Sequence, residues 1–180
     1  MKQVFIRTFG CQMNVADSEL IAGMLHKQGY VVSKSMDNAD AIFVNTCAIR
    51  EHAEEKVHSR LGVYSRIKQN RPEVIIGVLG CMAQHLKDEI LESKPYVDII
   101  LGPDSYRKLP VLLDREIENT NSLVDTKLSR FEVYDNLFPS RQEGINAWVS
   151  IMRGCDKFCT FCIVPFTRGR ERSRSITSIV

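Results

Sequence analysis

Cys155, Cys159 and Cys162 lie in the run Met152-Arg-Gly-Cys-Asp-Lys-Phe-Cys-Thr-Phe-Cys-Ile-Val-Pro-Phe-Thr-Arg-Gly-Arg170. Three thiols at C-x3-C-x2-C spacing, with no fourth nearby, make an incomplete ligand set. Thiolate is the soft ligand of Fe–S clusters, which normally take four. A 4Fe–4S cluster on three cysteines keeps one iron open to an outside ligand, and an open iron is where chemistry happens. A structural zinc site is the alternative. It closes with four Cys or His ligands, whereas His26, His52, His58 and His85 all lie far upstream without finger spacing. The six cysteines are an even number, so a disulfide framework is also formally open. Against it, Met1-Lys2-Gln3 runs straight into an apolar stretch holding Arg7, with no signal-peptide layout. That layout predicts a cytoplasmic protein, and disulfides are uncommon in the cytosol.

The other three cysteines take their meaning from the elements that carry them. Across residues 1–120, short apolar runs alternate with stretches of helical period, which predicts a parallel α/β sheet. The runs are Val4–Phe9, Ala41–Thr46, Val74–Gly80 and Val97–Leu101, with a shorter one at Tyr30–Ser33. Their continuity predicts strands covered by helices on both faces. One helix is expected at Asn14–Gln28, with Ile21, Met24, Leu25 and Gln28 on one side. A second is expected at Arg50–Gln69, with Ala53, Val57, Leu61, Tyr64 and Lys68 aligned. Shorter ones follow at His85–Ser93, carrying Leu86, Ile90 and Leu91, and at Leu109–Glu118, with Pro110 in the first turn.

Cys11, Cys47 and Cys81 each follow a strand, where it hands over to its helix. In a flavodoxin-like, doubly wound order 2-1-3-4-5, strands one, three and four are neighbours, ~4.8 Å apart. Their ends then face one crevice at the switch point, where such folds bind ligands. Gly10, Thr46 and Gly80 beside the cysteines leave room and free backbone N–H groups. This placement predicts a second three-cysteine cluster; the alternative for each cysteine is a buried small hydrophobe. After the first strand, Gly10-Cys-Gln-Met-Asn14 is no glycine-rich phosphate loop.

Residues 121–144 lose the period and read as a connecting segment, with turn signals at Asn119-Thr-Asn-Ser122 and Pro139-Ser140. Ile145–Met152 is expected as a new strand, and Ser173-Arg-Ser-Ile176 as the cap and first turn of a helix. One strand, one loop and part of a helix cannot bury a core, so residues 145–180 are expected to be the truncated start of a second domain. Phe158 and Phe161 flank the loop cysteines and are read as core-facing, with contact to a cluster or adenine as the alternative. The composition, 44% hydrophobic and 26% charged, is that of a globular protein. No apolar run approaches the ~20 residues of a membrane span. The net charge of +2 is uneven: residues 140–180 hold seven Lys/Arg and three Asp/Glu (+4), and the rest hold 17 and 19 (−2). Arg168, Arg170, Arg172 and Arg174 either line a solvated segment or contact phosphate or carboxylate, for which guanidinium geometry is suited.

Thr8-Phe-Gly-Cys-Gln-Met-Asn14, Asn45-Thr-Cys-Ala-Ile-Arg50, Gly80-Cys-Met82 and Arg153-Gly-Cys-Asp-Lys-Phe-Cys-Thr-Phe-Cys-Ile-Val-Pro165 resemble, in order and spacing, the methylthiotransferases. These are radical S-adenosylmethionine enzymes with two 4Fe–4S clusters. Gly-Cys-Gln-Met-Asn and Phe166-Thr-Arg-Gly-Arg-Glu171 resemble the tRNA branch, which methylthiolates isopentenyladenosine beside the anticodon. The resemblance implies that Cys155, Cys159 and Cys162 hold the cluster that cleaves S-adenosylmethionine. It implies that Cys11, Cys47 and Cys81 hold an auxiliary cluster, where sulfur is methylated and delivered. One S-adenosylmethionine would supply the methyl group. A second would give a 5′-deoxyadenosyl radical that takes hydrogen from carbon 2 of the adenine. It further implies tRNA as partner, an electron donor such as flavodoxin or ferredoxin, a monomer, and a partial (β/α) barrel beginning at residue 145. With most of that barrel and the RNA-binding domain beyond it absent, these 180 residues are expected to be inactive alone. Arg168, Arg170, Arg172 and Arg174 would meet RNA phosphates or the S-adenosylmethionine carboxylate. The alternatives are a methylthiotransferase acting on threonylcarbamoyladenosine or a ribosomal protein, or a non-enzymatic Fe–S redox or binding module.

Overall fold

A computed structural model describes residues 2–47, 51–116, 122–141 and 145–180, without side chains at 51–56 and 115–116. The expected helix start at Arg50, the side chain of Ala53, and the turn at 119–121 lie outside the described residues. The chain order is β1 Gln3–Phe9, α1 Gln12–Lys27, β2 Val31–Ser33, β3 Ala41–Thr46, α2 Glu51–Asn70, β4 Ile75–Gly80, α3 Cys81–His85, α4 Lys87–Ser93 and β5 Ile99–Leu101. A turn of 3₁₀ helix at Tyr106–Lys108 then leads into α5 Leu109–Glu116, and β6 Leu123–Asp125 follows.

The sheet is parallel throughout, in the order β2-β1-β3-β4-β5-β6. This is the flavodoxin-like order expected, extended by a sixth strand. β6 comes from the stretch read as a connector: its residues alternate between half-buried and exposed, so Leu123-Val-Asp125 has no long apolar run to announce it. Alternate side chains go to opposite faces of a strand. Ala41, Phe43, Ile75, Leu79, Ile99 and Leu101 therefore pack under α1 and α5, against Ile21, Met24, Leu25, Leu109 and Leu113. Ile42, Val44, Ile76, Val78 and Ile100 pack under α2 and α4, against Val57, Leu61, Tyr64 and Ile90. Each such side chain, fully buried, contributes about 1.5–3 kcal/mol.

Three local expectations change. Gln28 is the exposed C-cap of α1 and not part of its inward face. The helix read over His85–Ser93 begins only at Lys87: His85 ends α3, and Leu86 (φ −110°, ψ 25°) separates it from α4. Lys68 is half-buried and ion-pairs with Asp98.

Residues 145–180 build β7 Met152–Arg153, α6 Val164–Thr167, β8 Arg172–Ser173 and α7 Ile176–Ile179. The expected strand over Ile145–Met152 shrinks to its last residue plus Arg153, because its only pairing is antiparallel to β8. Ser173 pairs in β8, and the final helix starts at Ile176 with Ser175 as N-cap. Among the described residues no helix is long and apolar enough to cross a membrane.

Candidate metal centre

β1, β3 and β4 lie side by side with Phe9, Thr46 and Gly80 in register. The cysteines follow within two residues. Cys11 is the N-cap of α1, Cys47 is buried one residue past β3, and Cys81 is buried as the first residue of α3. Two glycines make these turns possible. Gly10 and Gly80 have φ of 133° and 92°, a region that side-chain-bearing residues avoid. A Cβ on Gly10 would stand 2.8 Å from Cys47 Cβ, and one on Gly80 would stand 2.8 Å from Thr46 O.

Two buried asparagines tie the turn after β1 to the end of β3. Asn14 Oδ1 accepts from Cys11 N (3.3 Å) and Cys11 Sγ (3.4 Å), and Asn14 Nδ2 donates to Asn45 Oδ1 (3.4 Å). Asn45 Nδ2 donates in turn to Asn14 O (3.0 Å) and Ser18 Oγ (2.9 Å). Cys47 N reaches back to Phe9 O at 3.2 Å, tying β3 to β1 beyond their last paired residues.

All six cysteines are free thiols, so the disulfide alternative drops out. As the side chains stand, no three Cys, His, Asp or Glu among the described residues are gathered into a metal-ligand set. In kind, the donors suit a thiolate-held cluster: three soft ligands follow three adjacent strand ends, with a cation beside them. That cation is Arg168. Its charge and hydrogen-bonding capacity oppose the effect of burial, which pushes the Cys81 thiol up.

The second cysteine set forms a surface loop. Cys159 is exposed, and Cys155 and Cys162 are half-buried. Gly154 (φ 75°) and Phe158 (φ 47°) turn the loop, Cys155 N donates to Gly169 O (3.1 Å), and Cys162 N donates to Cys159 O (2.9 Å). Phe158 and Phe161 do not face the core. Phe158 is 47% exposed and Phe161 94%. Phe158 packs edge-on to Phe166 (centroids 6.2 Å apart) and lies under the Arg170 guanidinium at 5.2 Å.

Between the two cysteine sets lies a buried cluster of five charges. Asp17 Oδ1 pairs with Arg153 Nη1 (2.8 Å), and Asp17 Oδ2 pairs with Arg168 Nη2 (2.9 Å). Asp104 receives both terminal nitrogens of Arg172, each at 3.0 Å. The Arg153 guanidinium also stacks on Tyr134 at 4.8 Å and donates to Pro103 O. Burial works to raise the Asp17 pKa, but Arg153 and Arg168 outweigh it and hold the carboxyl below its ordinary value. Asp104 goes the other way: burial raises it, and Arg172, Arg153 and the Ser129 amide only partly offset the rise.

Two of the four arginines singled out for phosphate or carboxylate contact, Arg168 and Arg172, are thus buried on the protein's own carboxylates. Arg174 is tied to Ser178 and Ser150 O. Arg170 is the exposed one, and it pairs with Asp156 at 2.7 Å. Asn14, Asn45, Asp17, Asp104 and Arg153 were not singled out from the sequence. A signal was present for two of them: Asn14 and Asp17 continue the buried stripe of α1 toward Ile21, Met24 and Leu25 at three- and four-residue spacing. Polar residues on such a stripe need buried partners.

The model of the family described as "Uncharacterized protein family UPF0004" matches residues 3–102. Among curated proteins, the chain is 47% identical over 181 residues to the tRNA-2-methylthio-N(6)-dimethylallyladenosine synthase of Amoebophilus asiaticus. It is 49% identical over 181 residues to the Bacteroides fragilis protein of the same name, and 50% over 182 residues to that of Phocaeicola vulgatus. These alignments take in 99% of this chain and 37%, 39% and 40% of the relatives' own lengths. The chain belongs to the UPF0004 family, the amino-terminal domain of the methylthiotransferases.

Proposed function

We propose that this chain is the sulfur-delivering part of a tRNA methylthiotransferase, which places a methylthio group on carbon 2 of N6-dimethylallyladenosine (the isopentenyl-bearing base) beside the anticodon. The observation that carries this reading is the arrival of Cys11, Cys47 and Cys81 at the ends of adjacent strands, with the Cys155 segment packed against the same edge through α6 on α3. The names of the relatives support the substrate. Cys155, Cys159 and Cys162 would hold a 4Fe–4S cluster with S-adenosylmethionine at its open iron, and Cys11, Cys47 and Cys81 a second. When bound, these groups supply radical generation and the sulfur for transfer.

The chain's own residues do the positioning. Asn14 and Asn45 brace the strand ends, Gly10 and Gly80 let the backbone approach, and the Asp17 and Asp104 ion pairs hold the Cys155 segment over the crevice. A flavodoxin- or ferredoxin-like electron donor, a monomeric state, a cytoplasmic location and a second domain beginning at residue 145 belong to the same proposal. Arg170, the exposed one, is the arginine in this segment that would meet an RNA phosphate.

Iron and sulfide analysis with Mössbauer spectra after anaerobic reconstitution tests the cluster reading. This chain is expected to hold about eight irons, and a Cys11/Cys47/Cys81→Ala variant about four. Four in both would make the first three cysteines packing residues. For the substrate, tRNA nucleosides from a strain lacking the full-length gene should have lost 2-methylthio-dimethylallyladenosine; its persistence would move the reaction to another substrate.

A further inference from the structure

Arg153, Arg168 and Arg172 each keep one buried nitrogen without a hydrogen-bond partner, and Arg168 is the one among them that bears on the Cys81 thiol. The Arg168 side chain is 3% exposed. One terminal nitrogen is fixed by Asp17 at 2.9 Å, yet the other, Nη1, is buried with no hydrogen-bond partner. Leaving a buried donor unmatched costs about 1–3 kcal/mol, more when it is charged. After Asp17, the charge partner that acts most strongly on Arg168 is the Cys81 thiol. α6, which ends one residue before Arg168, packs on α3, which begins at Cys81. The five-charge cluster is also unbalanced: Arg153, Arg168 and Arg172 face Asp17 and Asp104, leaving one positive charge in excess inside the protein. A buried excess charge calls for a counter-charge. The Cys11–Cys47–Cys81 crevice is where one would form, since three thiolates and the sulfides they hold carry net negative charge.

We propose that Arg168, carried in by the segment that bears the second cysteine set, is the electrostatic partner of the sulfur centre at Cys11, Cys47 and Cys81. Its free Nη1 is directed to sulfur-borne negative charge beside Cys81, and Asp17 orients the guanidinium for that contact. The proposal rests on the reading of these cysteines as cluster ligands. Net charge and hydrogen bonds to sulfur set the potential of such a centre. Arg168 therefore favours its reduced, more negative state, and the first sulfur centre is complete only when residues 145–180 are docked.

The test uses this chain with Cys155, Cys159 and Cys162 replaced by Ala, reconstituted with iron and sulfide so that only the crevice centre is read by redox titration. Arg168→Gln is expected to keep its iron and shift the midpoint to more negative potential, and Arg168→Lys to restore much of the shift. An unchanged midpoint in Arg168→Gln at full iron content overturns the proposal and makes Arg168 a docking residue only. Should Arg168→Gln lose its fold by circular dichroism, Arg168→Met, which keeps more of the buried stem's packing, decides. Loss of the positive charge should again move the midpoint to more negative values, and no shift overturns the proposal. If the parent protein takes up no iron, the cluster reading itself has failed and this proposal falls with it; iron analysis separates that outcome from an unchanged midpoint.

Discussion

Asp17 serves two guanidiniums with one carboxylate, at 2.8 and 2.9 Å and with almost no solvent. Removing one partner of a buried pair leaves uncompensated charge and costs about 3–5 kcal/mol. Asp17→Ala is expected to destabilise the chain by that order in urea unfolding, whereas truncating the exposed Asp156 of the Arg170 pair should do little. The two buried carboxylates also titrate with opposite signs. Asp17, depressed in the folded state, contributes stability that is full above the ordinary carboxylate value of about 3.9 and is lost as pH falls through its lower folded value. Asp104, raised by burial, binds its proton more tightly when folded, so acidification through that window favours folding. Urea midpoints followed from about pH 6 down to about pH 3 should lose stability less steeply in Asp17→Asn than in the parent, and more steeply in Asp104→Asn.

The strand-to-helix turns set the demands on whole elements. At Gly80 the backbone takes φ 92°, and an added Cβ would press on Asn45 and Thr46 O. Gly62, inside α2, has nothing within 4 Å of an added Cβ. Gly80→Ala is therefore expected to cost about 1–3 kcal/mol. Gly62→Ala should add up to about 1 kcal/mol, because alanine is the better helix former. Thermal melts of both variants check the pair, and a stabilising Gly80→Ala would contradict the turn geometry. The runs of β3 and β4 were legible in the sequence because both faces of each strand are buried, which leaves an unbroken apolar stretch. β6 and β7 were not, for opposite reasons. β6 is an edge strand whose three residues are half-wet, and β7 is held by a two-residue antiparallel pairing to β8 that no periodicity encodes.

At the scale of the molecule, the excess of positive charge in residues 140–180 and of negative charge before it meet each other. Arg153, Arg168 and Arg172 from one part close on Asp17 and Asp104 from the other. Tyr134 joins the contact. Its hydroxyl accepts from Tyr106 N and donates to Pro103 O, and its ring lies under Arg153. If this contact seats the Cys155 segment, amides such as Cys155 N and Arg174 N should exchange slowly in the parent chain. They should exchange much faster in Asp17→Ala, while those of β3 and β4 keep most of their protection, as hydrogen exchange by mass spectrometry reports.

Cysteine spacing, the placement of Cys11, Cys47 and Cys81 after apolar runs, and the unbroken hydrophobicity of those runs alone determined the sheet, its strand order from β1 to β5 and the edge that carries the three thiols. Such features are local in the chain, and periodicity and turn chemistry encode them. Only the tertiary structure decided what the arginines do. A guanidinium's partner is set by which distant carboxylate folding buries beside it, 136 residues away for Arg153 and 151 for Arg168. No spacing rule reaches across that separation, and a run of arginines reads the same whether it will meet a phosphate in solvent or Asp17 in the core.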